Sequence, residues 1–213
     1  MSFWPEFLLI ATVHLMAVAS PGPDFAIVLR YAVRFGRRQA LFASLGIGLA
    51  ILLHVTWSLV GIAVLIQTTA WLFQALSLAA ALYLFYIGVQ AIKSKAPAHP
   101  EQAIPSSVNE SAPSATKAFI TGFITNGLNP KATLFFLSLF AVIISPTTPF
   151  SYKVIYGGYM AVATASWFCA LSLLLTQTKV RAFLLLKGFW FDRLMGLLLL
   201  ALAMHLVLSS FNN

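Results

Sequence analysis

The chain has 213 residues, of which 60% are hydrophobic and only 8% charged, and its formal net charge is +8; its mean hydropathy is +0.90. That balance excludes an ordinary soluble domain and marks an integral membrane protein. The basic excess does not indicate nucleic-acid binding: its residues fall in short clusters between apolar runs, where they fix topology and meet anionic headgroups of the lipid bilayer.

The first apolar segment ends in Ala17-Val18-Ala19, which looks like a signal-peptide cleavage site. The only charge before it is Glu6, with no Lys or Arg, so the basic region of a signal peptide is missing and the segment is expected to stay as a membrane helix. This first helix is expected over 5–30, interrupted at Ser20-Pro21-Gly22-Pro23-Asp24. The run Gln39 to Ile92 then holds 54 residues with no Lys, Arg, Asp or Glu. About 20 apolar residues cross a bilayer core as helix, so the run contains two crossings, 40–66 and 70–92, with a turn at Gln67-Thr68-Thr69.

Residues 94–116, with Pro97, Pro100, Pro105 and Pro113, form a flexible linker. Three more helices follow over 117–145, 152–177 and 193–210. Cys169, the single cysteine, sits within one of them and reads as a small buried hydrophobe with no disulfide partner.

Loop charges orient the six spans. Arg30, Arg34, Arg37 and Arg38 fall in the first loop, Lys93, Lys95 and Lys117 around the third, and Lys179, Arg181, Lys187 and Arg193 in the fifth. Only Lys153 is on the other side, so the odd loops are cytoplasmic and both termini periplasmic. Ser44 and Gly48, and Gly157, Ala161 and Ala165, place small residues four apart and favour close helix packing. Trp57, Trp71, Tyr152 and Trp190 fall near span ends, where aromatic rings settle. The Phe135-Phe136 pair reads as a core contact, and Arg37 and Arg38 as topology signals that are also placed to gate the inner mouth.

The fold expected is all-α: six transmembrane helices as two inverted three-helix repeats, 1–93 and 117–213. At an offset of 107 residues Pro23 aligns with Pro130, each followed by a charge of opposite sign, Asp24 and Lys131. Proline suits the first position of a helix and not its middle. Each half therefore breaks its first helix, with Ser20 or Gly22, and Asn129, as caps of the restarted piece. A restarted half-helix aims unpaired N–H groups inward, and in a membrane such backbone is tolerated only beside protein or a watery cavity. Asp24 suits a helix N-terminus, but Lys131 does not. An unpaired charge there costs about 2.5–3.5 kcal/mol, so Lys131 needs a partner, and Asp24 is the symmetry-related candidate.

At these residues the chain resembles the LysE/RhtB family of bacterial amino-acid exporters over nearly its whole length. The likeness rests on Ser20-Pro21-Gly22-Pro23-Asp24, Gly36-Arg37-Arg38, Leu45-Gly46-Ile47-Gly48 and the segment from Gly122 through Asn126, Asn129 and Pro130 to Lys131. Val13-His14, Gly88 and Asp192-Arg193 are similar to the threonine and homoserine exporters. The resemblance implies efflux of a neutral amino acid across the inner membrane, driven by the proton gradient, with leucine, cysteine, arginine or homoserine lactone as alternative cargoes.

On this reading a substrate carboxylate meets the half-helix N-termini, with Gly22, and Lys131; the ammonium meets Asp24; Asn126 and Asn129 add donors and acceptors, Asn129 equally as a cap. Pro21, Pro23 and Pro130 make the breaks. Proton coupling requires a titratable group that changes exposure. Asp24 leads, because a carboxyl removed from water gives up its proton less readily. His14, His54 and His205 follow, His14 first. No cofactor or resident metal is expected, and a homodimer is compatible with the sequence. Rival readings are a membrane enzyme, which has no H-E-x-x-H or G-x-S-x-G motif to support it, a metal-ion exporter, and a non-transporting membrane partner.

Overall fold

The computed structural model describes residues 3–20, 22–68, 78, 81–82, 85–86, 88–94, 111–145, 147–187 and 189–211. Among them every regular element is helical: α1 (Phe3–Ala19), α2 (Pro23–Arg34), α3 (Arg37–Thr68), α4 (Ala115–Gly127), α5 (Pro130–Val142), α6 (Phe150–Leu174), α7 (Thr178–Lys187) and α8 (Phe189–Phe211). The stretch Arg37–Val60 of α3 has 24 residues and α6 has 25, each long and apolar enough to cross a membrane. At 1.5 Å per residue both exceed the roughly 30 Å of a bilayer core. The pair α1 and α2, bent by 54° at their junction, makes a third candidate span.

The breaks fall at the expected prolines. Pro23 and Pro130 each occupy the first turn of a new helix, where a missing N–H costs no hydrogen bond. The turn expected at Gln67-Thr68-Thr69 does not begin at Gln67, because α3 stays helical through Gln67 and Thr68; Thr69 and Trp71 lie outside the described residues, as does most of the linker. The fifth loop differs from expectation. Its residues Thr178–Lys187 are helical, and α8 begins at Phe189 rather than near 193. The sequence of α7 intersperses basic with apolar residues, and the charge pattern that reads as a loop is carried on a helix.

The helices pair in opposite directions. Ser20 at the end of α1 and Asp24 on α2 meet Lys131 on α5 and Asn126 on α4, while Glu6 at the start of α1 reaches Ser145 just beyond α5. Likewise Ser44, Gly48 and Val55 of α3 meet Ser172, Ala165 and Gly157 of α6, in reverse order. Ser94 and Gly88 face Arg193 and Gly196 of α8 in the same reversed sense.

Small residues make these approaches possible. The Ser44 and Ser172 hydroxyls lie 2.8 Å apart, and a Cβ on Gly48 would fall 2.5 Å from that of Ala165. At the crossing of α3 and α4 the fit is tighter still: a Cβ on Gly46 would overlap the Phe119 carbonyl, and one on Gly122 the Ala43 carbonyl. Two apolar clusters fill the interior. One surrounds Ile10, Ile51, Phe136 and Tyr156; the other surrounds Val28, Ile47, Ala118 and Leu171. The helix breaks lie between them.

Gly122→Ala is expected to lower the stability of the detergent-solubilised protein by roughly 1–3 kcal/mol through overpacking against backbone that has no rotamer to yield. Gly158→Ala, where a Cβ meets nothing within 4 Å, serves as the comparison in a thermal unfolding series. Equal midpoints for the two variants would contradict the close crossing.

Candidate functional site

The two breaks open on one cavity. Gly22 caps α2 in extended conformation, without a side-chain hydrogen bond to the helix, and Pro23 takes the first position. The first intrahelical bond beyond the break is donated by Ala26 to the Gly22 carbonyl. The N–H groups of Asp24 and Phe25, in the turn before it, are therefore left to other acceptors. Across the cavity Asn129 caps α5, its Oδ1 accepting the Lys131 amide at 3.0 Å. The Asn129 side chain also looks the other way, donating through Nδ2 to Asp24 Oδ2 at 3.3 Å. The cap and the site contact are thus made by opposite ends of one amide.

Asp24 Oδ2 receives a second, shorter bond from Asn126 Nδ2 at 2.9 Å. Asn126 is held in turn by its backbone carbonyl, which lies 3.0 Å from His54 Nε2. A carbonyl only accepts, so Nε2 carries a proton. His54 Nδ1 lies 3.4 Å from the Thr133 hydroxyl, which also bonds the Asn129 carbonyl at 3.1 Å. The ring stacks on Phe136 at 5.7 Å. Thr133 has one proton and two candidate acceptors, so His54 is accommodated with Nδ1 bare or protonated.

On the facing side, Lys131 Nζ donates to Ser20 Oγ at 3.0 Å, beside Gly22. The cavity is therefore lined by a lysine ammonium, by the first turn of α2 and by the Asp24 carboxylate. Two buried acceptors in it, Asp24 Oδ1 and Asn126 Oδ1, have no hydrogen-bond partner among the described residues. Leaving such an atom unsatisfied costs about 1–3 kcal/mol, so both are standing invitations to a donor. The cavity volume is about 60 Å³. That is room for a few water molecules, each of which needs at least about 10–15 Å³. Anything the size of an amino acid requires its walls to part.

Of the residues singled out in the sequence, His14, Gly22, Pro23, Asp24, Asn126, Asn129 and Lys131 all line this cavity. His54 stands behind it. His14 is fully buried, with Nε2 3.1 Å from the Thr164 hydroxyl and Nδ1 unpartnered among the described residues. Pro130 opens α5. Pro21 and the side chain of His205 lie outside the described residues. The sequence reading missed Ser20 as a contact of Lys131 and Thr133 as the second anchor of His54. Thr133 carried a signal, lying one helical turn beyond Asn129 and so on the same face. Phe135 and Phe136, expected as core contacts, are buried in the core and also form cavity wall.

The chain belongs to the LysE type translocator family, whose family model matches residues 15–210. Among curated proteins it is similar to the threonine efflux protein of Escherichia coli, 30% identical over 207 residues, covering 95% of this chain and 98% of that protein. An uncharacterized membrane protein of Haemophilus influenzae is 27% identical over 201 residues, covering 94% and 95%. The leucine efflux protein of Salmonella choleraesuis is 33% identical over 141 residues, covering 63% and 61%. No solved structure matches the chain.

The double use of Asn129 separates in two variants. Asn129→Ser keeps a capping oxygen and removes the amide that reaches Asp24, so its thermal midpoint is expected near that of the parent. Asn129→Ala loses the cap as well and should be about 1 kcal/mol less stable than the serine variant. Equal losses in both would contradict the cap assignment.

Proposed function

We propose that this protein is a secondary exporter of amino acids across the bacterial inner membrane, with threonine, homoserine or a similar neutral amino acid as cargo and the proton gradient as driving force. The observation that carries the reading is that one cavity is lined by two acceptors without a partner among the described residues, Asp24 Oδ1 and Asn126 Oδ1, together with Lys131 and the first turn of α2. An α-amino acid presents a carboxylate and an ammonium on adjacent atoms. Its ammonium, with three donors, suits Asp24 Oδ1 and Asn126 Oδ1. Its carboxylate suits Lys131 and the start of α2, where donors and dipole both favour an anion. Phe25, Phe135 and Phe136 offer apolar wall to a short side chain. The threonine efflux protein named above supports this cargo; the leucine efflux protein keeps a larger aliphatic side chain as the second reading.

The architecture we infer is six spans in two inverted halves, 1–93 and 117–213, with both termini periplasmic. Three observations support it. The two broken helices lie side by side in opposite directions, α3 pairs with α6 in reverse order, and the residues around 88–94 pair with α8 in reverse order. Each pair joins elements equivalent under the expected repeat. Rocking of one half against the other would enlarge the cavity and present it to alternate faces. For coupling we assign Asp24 first, with His54 its nearest relay through Asn126, and His14 as the other histidine in reach of the cavity.

Two outcomes test this. In cells loaded with threonine, Asp24→Asn should reduce export at least tenfold while the variant accumulates in the membrane at parent level; export at the parent rate would remove Asp24 from the substrate site. In proteoliposomes loaded with threonine, an imposed inward proton gradient (outside acidic) should accelerate threonine efflux in the parent, and His54→Gln should weaken that response more than it weakens gradient-free exchange. Equal weakening of both would make His54 a packing residue only.

A further inference from the structure

We propose that Glu6 is the latch that closes the outer face of the transport pathway, bridging the two halves of the molecule at the far end of α1 from the cavity. This rests on the topology proposed above, in which the start of α1 is periplasmic. Glu6 is a charged residue that nothing in the site description uses, yet it is 3% exposed. Its carboxylate accepts from the Ser145 amide at 2.8 Å, from the Thr148 hydroxyl at 2.9 and 3.0 Å and from the Tyr156 hydroxyl at 3.1 Å. Every one of these donors comes from the second half of the chain, two from the connection between α5 and α6 and one from α6. The Phe3 ring closes over the same place, with Tyr152 at 4.9 Å and Tyr156 at 5.5 Å.

A carboxylate with three donor groups makes stronger bonds than neutral partners would, since charge roughly doubles such a bond. Anchoring one helix start does not need that. What distinguishes this cluster is where α1 leads. Fourteen residues further along, about 21 Å of helix, Ser20 bonds Lys131, and Ala17, Val18 and His14 of the same helix form cavity wall. The apolar cluster around Ile10 and Phe136 lies between the two ends. For the cavity to open outward, α1 must part from α6 and from the connection that precedes it. Those are the elements Glu6 ties together.

The test measures access, so it needs no substrate. In a Cys169→Ser background, Ala17→Cys puts the single thiol on the cavity wall, and a membrane-impermeant maleimide is applied to intact cells and to inverted vesicles. Glu6→Gln keeps the shape and removes the charge. It should raise the labelling rate from the outside roughly tenfold or more, the factor that loss of one charged hydrogen bond allows, and lower labelling from the inside. Tyr156→Phe removes one donor and should move both rates in the same directions by less. A purely structural Glu6 would lower protein yield or thermal stability and leave the ratio of outside to inside labelling unchanged, which would overturn the latch. If Glu6→Gln fails to accumulate, Tyr156→Phe decides by the same ratio. An inverted topology would show as a change on the opposite face, whereas failure of the latch shows as no change on either.

Discussion

Two helices are interrupted where a lipid-facing helix cannot be, and the rest of the molecule is arranged around that constraint. Each break at Pro23 and Pro130 frees backbone groups that a bilayer cannot satisfy. The breaks therefore face each other, and the side chains around them close the hydrogen-bond account. Asn129 caps α5 and reaches Asp24; Asn126 holds Asp24 and is held by His54; Ser20 meets Lys131. What stays unsatisfied is confined to a few atoms that share one cavity.

Tight helix crossings make so polar a centre tolerable. Gly46 and Gly122 let α3 and α4 meet backbone to backbone, and Gly48 with Ala165 does the same for α3 and α6. Close crossings hold the break geometry by shape, in surroundings where burying apolar surface gives little advantage over lipid. Apolar clusters lie on either side of the cavity, and the polar groups are confined to the layer between them.

Much of this was legible in the sequence because prolines and charges are expensive in a membrane helix. Pro23, Pro130, Asp24 and Lys131 could not be explained as bilayer-facing residues, so they pointed at one another, and the cavity contains them together with the asparagines. The helices expected over 40–66 and 152–177 fall within a few residues of α3 and α6. Three things were not legible. The helix Thr178–Lys187 has the composition of a basic loop, and only its backbone reveals it. Ser20, just past the end of α1, and Thr133, within α5, have contacts that depend on what lies across the gap. Glu6 looked like an incidental charge near the start of the chain, because its partners are 139 to 150 positions away.

The central claim is that a single chamber recognises both charges of a zwitterion at once. With Cys169→Ser and Ala132→Cys placing the only thiol on the cavity wall, protection from a maleimide by added solutes reads occupancy directly. Threonine should protect, and ethanolamine and 3-hydroxybutyrate, which carry one charge each, should protect far less. Protection by either single-charge compound as strong as that by threonine, or none by any amino acid, would contradict it.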